Sequence, residues 1–445
     1  MKKFLYIAAI MATVATATTS CTNEVDDLFD KSAAERTQEA VDEYSSVLTA
    51  NGGKWVLEYF TNPDEPGYIY IFTFDSNGSV KISGKNKWIG NTFKSETSAW
   101  EVISDNGPVL TLNTYNTIFH LFANPDNVVD PEASSDDIDE TGYGHYGDYE
   151  FMLMEANDGV VRLKGKKWGA THYLRHLDPE TDDEAYLAQV DDMKAKLFNA
   201  KFKTLIMTDA TGERFVLSDG IKGVFSAYPE AGDAITQVSS ANFIVTATGI
   251  RFMNSFQLMR AEVGADPLVV KEFTYNAEDG SLVEVSETPA IITAPSFAVL
   301  FTDQTLSWKV DNTTSIGQPA TLYTAVVDEI KAKLSETFRQ FVFTYDKTAG
   351  KASLSFQSAY RNKTYKGNIY FTAETPSDNE VKFNFDGTYD SGAKYYYENI
   401  VALKQLVELL QSTTWTLQSS SRIAPATMQL VSQANAGDVL VVNVQ

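Results

Sequence analysis

The chain has 445 residues, with 36 basic and 59 acidic side chains and a formal net charge of −23. Its length is sufficient for two or three hydrophobic cores, and its acidic surface argues against nucleic acid or anionic head groups as partners. Because Cys21 is the only cysteine, the rest of the chain offers no disulfide, no thiolate nucleophile and no cysteine-ligated metal site.

The first twenty residues predict a lipoprotein signal peptide. Lys2 and Lys3 are basic, residues 4–17 are apolar but too few to span a bilayer, and small residues precede Cys21. We expect Cys21 to be lipidated and to begin the mature chain, because two acyl chains hold a protein stably on a membrane. Cleavage leaves 34 basic and 59 acidic residues, a charge of −25. The alternative is a secretory signal followed by an incidental cysteine.

Residues 21–29 predict an acidic tether between the lipid and the folded protein. Glu24, Asp26 and Asp27 lie close behind Cys21. This arrangement resembles the signal that sends Bacteroidetes lipoproteins to the outer face of the outer membrane, and a plain solvated linker is the alternative. The sequence thus indicates an outer-membrane lipoprotein, on the cell surface or on the periplasmic face.

Helical periodicity occurs four times and suggests a duplicated unit. The first helix begins with a capping box, Ser32 with Glu35, and ends at Asn51-Gly52-Gly53. Its apolar spacing of +4, +7 and +11 returns in three later segments: Tyr186, Val190, Met193 and Leu197; Tyr323, Val327, Ile330 and Leu334; Tyr396, Ile400, Leu403 and Val407. After each helix, an aromatic residue predicts the start of a strand: Trp55, Phe202, Phe338 and Trp415.

Between the helices, short apolar runs separated by turns predict antiparallel strands. In the first third of the chain we expect strands near residues 54–60, 68–74, 79–83, 97–103, 108–113, 117–122, 149–155, 159–165 and 171–177. Such spacing without intervening helices favours a closed up-and-down barrel or a sandwich. Turn residues also predict hairpins at 75–78, 276–280 and 346–350.

The expected fold is therefore mostly β with a few short helices. Proline, glycine and acidic residues before the second and third helices predict domain boundaries near 178 and 320. The first domain, 30–178, is a helix followed by a barrel-like sheet. Residues 179–320 and 321–445 form two further helix-plus-β units, the last with a C-terminal helix and strands.

The opening of the first strand resembles that of a known group of barrels. Gly53-Lys54-Trp55 is similar to the Gly-x-Trp motif of lipocalins and other calycin-like barrels. The resemblance implies a calycin-like antiparallel barrel with an interior cavity or a plugged core. It also implies that Gly53 and Trp55 close one end of the barrel and do not bind ligand.

The order of segments along the chain resembles a Bacteroidetes lipoprotein family. A signal, Cys21, Ala-Ala-Glu-Arg at 33–36, Gly-Gly-Lys-Trp at 52–55 and a strand-rich body are similar to the family known as domain of unknown function 4302. The resemblance implies a cell-surface protein, often encoded beside outer-membrane nutrient importers of the starch-utilisation type. It implies no established activity and supplies no site residues.

All four histidines lie in the first domain: His120, His145, His172 and His176. His172 and His176 are four residues apart on a predicted strand, so they lie on one face and are candidate ligands of a metal or haem. Four residues of strand span about 13 Å, too far for one metal ion unless the strand bends. Ordinary strand histidines are the alternative, and the cofactor stays unassigned.

A loop rich in acids and aromatics follows the sixth expected strand. Its acidic part, residues 126–140, lacks the spacing of a calcium loop and predicts a solvated connection. Tyr143, Tyr146 and Tyr149 then alternate with glycine and acidic residues, as in loops that stack on sugar rings. We take these tyrosines as candidate ligand-binding residues, with packing at a strand start as the alternative.

The sequence does not indicate an enzyme, because it contains no Walker loop, nucleophile elbow, zinc-protease helix or dinucleotide fingerprint. The two catalytic carboxylates of a glycoside hydrolase are defined by their separation in space, which the sequence does not give. An enzyme is therefore the third choice. The first choice is a binding or accessory protein that presents glycan or another nutrient to an outer-membrane importer, which the anchor and the aromatic-rich sheets favour. The second is a cavity-type carrier of haem or a hydrophobic ligand.

Overall fold

The computed structural model describes residues 31–126, 144–218, 220–287 and 289–445. The helices in these ranges are α1 (Ala33–Thr49), α2 (Asp183–Leu197), α3 (Phe297–Phe301), α4 (Gln318–Leu334), α5 (Ser391–Asn399) and α6 (Val401–Gln411). The strands of the first sheet are β1 (Lys54–Tyr59), β2 (Tyr68–Phe74), β3 (Ser79–Gly84), β4 (Lys94–Ala99), β5 (Glu101–Ser104), β6 (Pro108–Thr111), β7 (Glu150–Asn157), β8 (Val160–Gly165) and β9 (Thr171–His176).

Two further sheets follow along the chain. The second contains β10 (Leu205–Thr208), β11 (Arg214–Ser218), β12 (Val224–Pro229), β13 (Ser239–Val245), β14 (Gly249–Leu258), β15 (Leu268–Asn276), β16 (Ser281–Glu284) and β17 (Ile291–Thr293). The third contains β18 (Ser307–Val310), β19 (Thr337–Asp346), β20 (Lys351–Tyr360), β21 (Lys363–Glu374), β22 (Glu380–Tyr389), β23 (Thr414–Gln418), β24 (Thr427–Ser432) and β25 (Val439–Val444).

Each sheet is an antiparallel meander whose first strand pairs with its last. The second and third sheets are closed barrels of eight strands. The first sheet has nine strands and is nearly closed, because only Trp100 separates its two edge strands, β4 and β5. We refer to these sheets as the first, second and third barrels. The expectation of a mostly-β fold with a few short helices is confirmed.

The helices lie where the repeated pattern placed them, with one difference. The segment expected to be a fourth single helix is two helices, α5 and α6, which meet at Ile400 in an extended conformation. Glu329 of α4 caps the second of them, since its carboxylate accepts hydrogen bonds from the backbone N–H of Val401 (2.9 Å) and Ala402 (3.0 Å). No helix in the described ranges is long and apolar enough to cross a bilayer.

The third barrel begins before the boundary that we expected at residue 320. Its first strand, β18, precedes α4 and pairs with both β19 and β25. Residue 320 therefore lies inside α4, and this helix connects the first two strands of its barrel. Four residues are too short for a clear alternation of apolar and polar side chains, so the sequence pattern did not reveal β18.

The junction between α1 and β1 explains the Gly-Lys-Trp motif. Trp55 donates a hydrogen bond from Nε1 to the carbonyl of Leu48 in the last turn of α1 (2.8 Å), which satisfies a carbonyl that the helix itself leaves free. Gly53 has a φ of 62°, and a Cβ atom there would lie 2.1 Å from the carbonyl oxygen of Phe74. Both residues therefore have structural roles.

Helix α2 fixes the first barrel to the second. Asp183, in its first turn, is buried and forms ion pairs with Lys54 and Lys81 of the first barrel, both at 2.8 Å. Burial raises the pKa of Asp183, but the hydrogen bonds from Lys54, Lys81 and Ser83 outweigh that effect and hold the pKa below its usual value. The carboxylate is therefore charged at neutral pH, as its lysine partners require.

The first and second barrels also share a buried charge cluster. Glu58 of β1 is 1% exposed and accepts hydrogen bonds from Arg175 of β9 (2.9 Å) and from Arg251 of the second barrel. Arg251 also donates to Glu272 (2.6 Å). Because a buried carboxylate without partners is costly, the two barrels hold a fixed orientation at this contact.

The second and third barrels share one continuous hydrophobic core. Their loops also pair: the backbone N–H of Arg422 donates to Asp279 (3.0 Å), and that of Ile423 donates to Gly280 (3.0 Å). Side chains such as Phe252, Trp308 and Phe383 fill the interiors of these barrels. The barrels are thus packed units joined side by side.

Candidate functional site

Tyr146, Tyr149 and His172 lie at one end of the first barrel, which we call the loop end, whereas His176 lies at the other end. The loop end consists of residues 60–67, 85–93, 112–126, 144–149 and 166–170, which connect the strands on that side. Mouths of barrels are common ligand sites, because loops there are shaped independently of the sheet.

A short segment at the loop end enters the barrel and fills it. Residues 117–122 were expected to form a strand, but they form a turn followed by a 3₁₀ helix, His120–Ala123. The reason is their burial: the rings of Phe119 and Phe122 lie 4.9 and 5.4 Å from that of Tyr59 on β1. We call Ile118, Phe119, Leu121 and Phe122 the aromatic plug. It occupies the interior that a carrier would need for a ligand.

Two buried tyrosines fasten the loops to the barrel wall. Tyr59 donates its hydroxyl hydrogen bond to the carbonyl of Asp148 (2.9 Å), and Tyr70 donates to the carbonyl of Ile118 (2.9 Å). Burial raises the pKa of both hydroxyls, so they remain protonated donors. The loop backbone at Asp148 and at Ile118 is therefore held in place by hydrogen bonds from side chains of the core.

Two exposed tyrosines lie on either side of a buried histidine. The rings of Tyr115 and Tyr149 lie 5.3 and 5.0 Å from that of His120, and they are 56% and 42% exposed. His120 accepts a hydrogen bond at Nδ1 from the backbone of Asn116 (3.0 Å), and its Nε2 lies 3.1 Å from the carbonyl of Leu112. Burial lowers the pKa of His120, so the ring is neutral and donates from Nε2. We call Tyr115, His120 and Tyr149 the tyrosine platform.

Of the three tyrosines that the sequence singled out, only Tyr149 belongs to this platform. Tyr146 is half-buried, and its ring packs edge-on against Trp168 at 4.9 Å. Tyr143 lies outside the described residues. Tyr146 therefore contacts Trp168, whereas Tyr149 contacts His120.

His172 and His176 pack against different partners. His172 is fully buried, stacks on Tyr59 at 5.1 Å and accepts a hydrogen bond at Nδ1 from the backbone of Phe60 (3.1 Å). His176 is exposed at the opposite end of the strand and meets the edge of Trp55 at 5.4 Å. Within the described residues, no group of three or more His, Cys, Asp and Glu side chains could hold a metal ion.

A pocket of about 360 Å³ opens at the loop end, and none of the described residues that line it belongs to the tyrosine platform. Thr117 connects the two, since it lines the pocket and follows Tyr115 by two residues. Glu96 fixes Thr117 by accepting hydrogen bonds from its backbone N–H (2.9 Å) and its hydroxyl (2.6 Å). The remaining lining residues are Trp88, Ile89, Lys94, Ile118, Leu121, Asn124 and Asp126. The pocket offers the ring of Trp88 and polar groups, among them the charged Lys94 and Asp126, to a small ligand.

Sequence reasoning missed Tyr115, Trp88 and Trp168. Tyr115 lies in Asn113-Thr114-Tyr115-Asn116, where polar turn formers surround a single aromatic residue. That composition is typical of a loop, and an aromatic residue in a loop is a better candidate for an exposed ring than one at a strand start. The signal was therefore present, but the expected strand at 117–122 obscured it.

Comparisons with known proteins identify a family. The family model described as "Domain of unknown function (DUF4302)" matches residues 25–265, and no curated protein matches. Two solved structures align at 9% identity. The beta subunit from DNA polymerase of Streptococcus pyogenes aligns over 91% of this chain and 97% of that chain, with a TM-score of 0.14. A mutant of the vaccine antigen Transferrin Binding Protein B from Haemophilus parasuis Hp5 aligns over 86% and 65%, with a TM-score of 0.12.

We predict that His172 makes the protein sensitive to acid. Burial lowers the pKa of His172 to about 3, so below pH 6.5 the unfolded state binds a proton that the folded state does not. Each pH unit between about 6.5 and 3 should then lower the free energy of unfolding by up to about 1.4 kcal/mol from this group. Urea unfolding at several pH values measures the effect.

The matched variants are His172→Asn and His176→Asn. Asparagine at 172 keeps an acceptor for the N–H of Phe60 but does not titrate, so its stability should fall less steeply with acid. The exposed His176 should be replaceable with little change in the profile. Parallel profiles for the wild type and His172→Asn would contradict the prediction.

Proposed function

The chain belongs to the family described as domain of unknown function 4302, and we propose that it is a lipid-anchored surface protein that binds neutral glycans without transforming them. The tyrosine platform carries the proposal. Its two exposed rings, Tyr115 and Tyr149, are suited to stack on the apolar faces of sugar rings. The first barrel is proposed to be calycin-like, with its core plugged.

The charge of the protein favours an uncharged ligand. The mature chain carries a net charge of −25 if it begins at Cys21, and such a surface repels polyanions, most strongly at low salt. Stacking of aromatic rings on sugars requires no formal charge on either side. The ligand class that fits both observations is a neutral oligosaccharide.

The anchor sets where such binding takes place. Cys21 and the acidic tether lie outside the described residues, and their sequence supports attachment to the outer membrane with the folded protein facing the cell exterior. A binding protein so placed would present captured glycan to an outer-membrane importer. That importer is the proposed partner, and the tyrosine platform is the part that meets the ligand.

The carrier of haem or a hydrophobic ligand remains the second candidate. It needs space inside a barrel, but the aromatic plug and Tyr59 occupy the interior of the first barrel at the loop end. It also needs axial ligands, and His172 is fully buried between the rings of Tyr59 and Phe151, with Nδ1 engaged by the N–H of Phe60 and Nε2 without a hydrogen-bond partner among the described residues. The described residues thus favour the glycan proposal over the carrier.

We predict that Cys21 carries the lipid. Cells that express the protein and are fed a palmitate analogue should label the wild type, because the acyl chains are attached at this thiol and at the new N-terminus. Cys21→Ser should abolish the label, whereas the neighbouring Ser20→Ala should keep it. Equal labelling of the Cys21→Ser protein would contradict the anchor.

We predict that the tyrosine platform binds the sugar. Tyr115→Ala and Tyr149→Ala should each weaken binding of a neutral oligosaccharide by about five- to tenfold, because each removes one stacking face worth about 1 kcal/mol. Isothermal titration of the purified protein with a panel of neutral oligosaccharides measures the change. Unchanged melting temperatures would show that the fold is intact.

Tyr395 provides the matched control. It is exposed to the same 56% as Tyr115, but it lies on α5 of the third barrel. Tyr395→Ala should leave the affinity unchanged. If Tyr395→Ala weakens binding as much as Tyr115→Ala, or if neither platform variant has an effect, the platform is not the site.

A further inference from the structure

The negative charge of the chain is not spread evenly over the three barrels. Residues 307–445, which form the third barrel, contain 13 basic and 13 acidic side chains, so the whole excess of acid lies in residues 1–306. Within the third barrel, residues 347–373 contain five basic side chains and no acidic one. The acidic surface that disfavours a charged ligand at the tyrosine platform therefore does not extend to this part of the molecule.

The hairpin of β20 and β21 carries positive charge at its turn. We call residues 360–366, with the sequence Tyr-Arg-Asn-Lys-Thr-Tyr-Lys, the basic hairpin, and all seven of them are exposed. Its strands pair as far as Tyr360 and Lys363. The neighbouring strands stop short of this turn, since β20 pairs with β19 as far as Ala359 and β21 pairs with β22 only from Ile369 onwards. The basic hairpin therefore projects past the strands on both sides.

Arginine occupies the tip of this hairpin at a position that glycine accommodates more easily. Arg361 has a φ of 54°, which lies in the left-handed region. Its guanidinium lies 5.1 Å from the centre of the ring of Tyr360, on the face of that ring. The turns that follow β2, β15 and β19 place glycines in the left-handed region instead: Gly78, Gly280 and Gly350.

Arg339 lies beside the basic hairpin. It is exposed in a bulge of β19, opposite residues 357–358 of β20. We call Arg339, Arg361, Lys363 and Lys366 the basic patch. The ion pairs that the structure describes in the third barrel use other cations: Lys333, Lys351 and Arg422.

The carboxylates near the basic patch do not neutralise it. Glu336 is buried and accepts hydrogen bonds from the hydroxyls of Ser358 and Tyr396. Helix α5 packs against the base of the hairpin, because a Cβ atom on Gly392 would lie 2.2 Å from the carbonyl oxygen of Lys366. The exposed Glu398 of α5 lies one turn after Lys394 and offsets the charge of that lysine. The four cations of the basic patch therefore present their charge to solvent.

We propose that the basic patch docks the third barrel on a membrane surface that carries phosphate head groups. Exposed tyrosines accompany the cations, since Tyr360 is 39% exposed, Tyr365 36% and Tyr395 of α5 56%. Tyrosine rings suit the level of the head groups, while lysine and arginine side chains reach the phosphates. The charge of the whole chain argued against anionic head groups as partners. The third barrel is the exception, because its net charge is zero and its basic patch projects from the sheet.

The orientation of the barrels on the cell rests on the proposed lipid anchor. A lipidated Cys21 would keep the membrane surface within reach, so that a weak second contact becomes effective. The ten residues 21–30 span at most about 35 Å when extended, which leaves the barrels free to turn. The basic patch would then select the orientation in which the third barrel meets the bilayer.

The test uses the purified mature chain with Cys21→Ser, which carries no lipid. Vesicles are made of phosphatidylcholine alone, or with one third of it replaced by phosphatidylglycerol. Co-sedimentation should give a partition coefficient at least about tenfold higher for the anionic vesicles, because each basic side chain near such a surface raises it by roughly fivefold. Vesicle binding of this chain bears on the patch alone, whereas the palmitate label bears on the anchor alone.

Two triple variants locate the surface. Arg361→Gln, Lys363→Gln and Lys366→Gln together should lower the partition coefficient for anionic vesicles at least about tenfold. The matched control changes three exposed lysines near the second barrel to glutamine, with the same change in net charge: Lys194, Lys201 and Lys203. It should retain binding within about twofold, because these lysines do not meet the bilayer. Tyr115→Ala should also leave vesicle binding unchanged, which separates this surface from the proposed glycan site.

Hydrogen–deuterium exchange of the Cys21→Ser chain provides a readout that does not depend on the folding of the triple variants. Anionic vesicles should slow amide exchange in residues 360–366, and inorganic phosphate at matched ionic strength should not release the protein. The proposal is overturned if both kinds of vesicle bind equally, or if the two triple variants bind equally. Displacement by inorganic phosphate, or binding of heparin without binding of vesicles, would also overturn it.

Discussion

The interior of the first barrel is filled by aromatic rings, and their polar atoms must find partners because water is excluded. Tyr59 and Tyr70 meet this requirement by donating to the backbone of the loops that close the barrel, and His172 meets it at Nδ1, which accepts from the N–H of Phe60, while its buried Nε2 has no hydrogen-bond partner among the described residues. An unpaired hydroxyl or ring nitrogen in that core costs about 1–3 kcal/mol. The same contacts that stabilise the core therefore fix the position of the loop end, and with it the tyrosine platform.

A consequence is that the proposed ligand site lies on the outside of the first barrel. The aromatic plug occupies the mouth of the first barrel, and large side chains such as Phe252 and Trp308 fill the other two. What varies between the barrels is the surface, and the first barrel carries the tyrosine platform at its loop end. The buried pairs Lys54–Asp183 and Glu58–Arg251 connect the first barrel to α2 and to the second barrel.

The sequence predicted the elements that depend on local pattern. Helices α1, α2 and α4 and the three hairpin turns follow from capping residues, apolar spacing and glycine positions, which act within a few residues of the chain. Residues 117–122 were predicted incorrectly because an apolar run is equally compatible with a strand and with a plug. The packing of this segment against Tyr59 and Tyr70 inside the folded barrel decides between the two.

The candidate site was predicted in part for the same reason. Tyr149 was found from composition, whereas Tyr115 and His120 become part of a platform only once the plug turns the chain back at Asn116. The bulge of β14 has no sequence signal, because it results from a register shift between β14 and β15. Both features arise from contacts between residues far apart along the chain.

The most direct measurement is a thermal-shift screen of the purified protein against neutral oligosaccharides, haem and fatty acids. A ligand at 100 times its Kd stabilises the folded state by about 2.7 kcal/mol, which raises the melting temperature measurably. If the barrels are packed and binding is external, a neutral oligosaccharide raises the melting temperature, and haem and fatty acids do not. A rise with haem or fatty acid and none with any oligosaccharide would contradict the account.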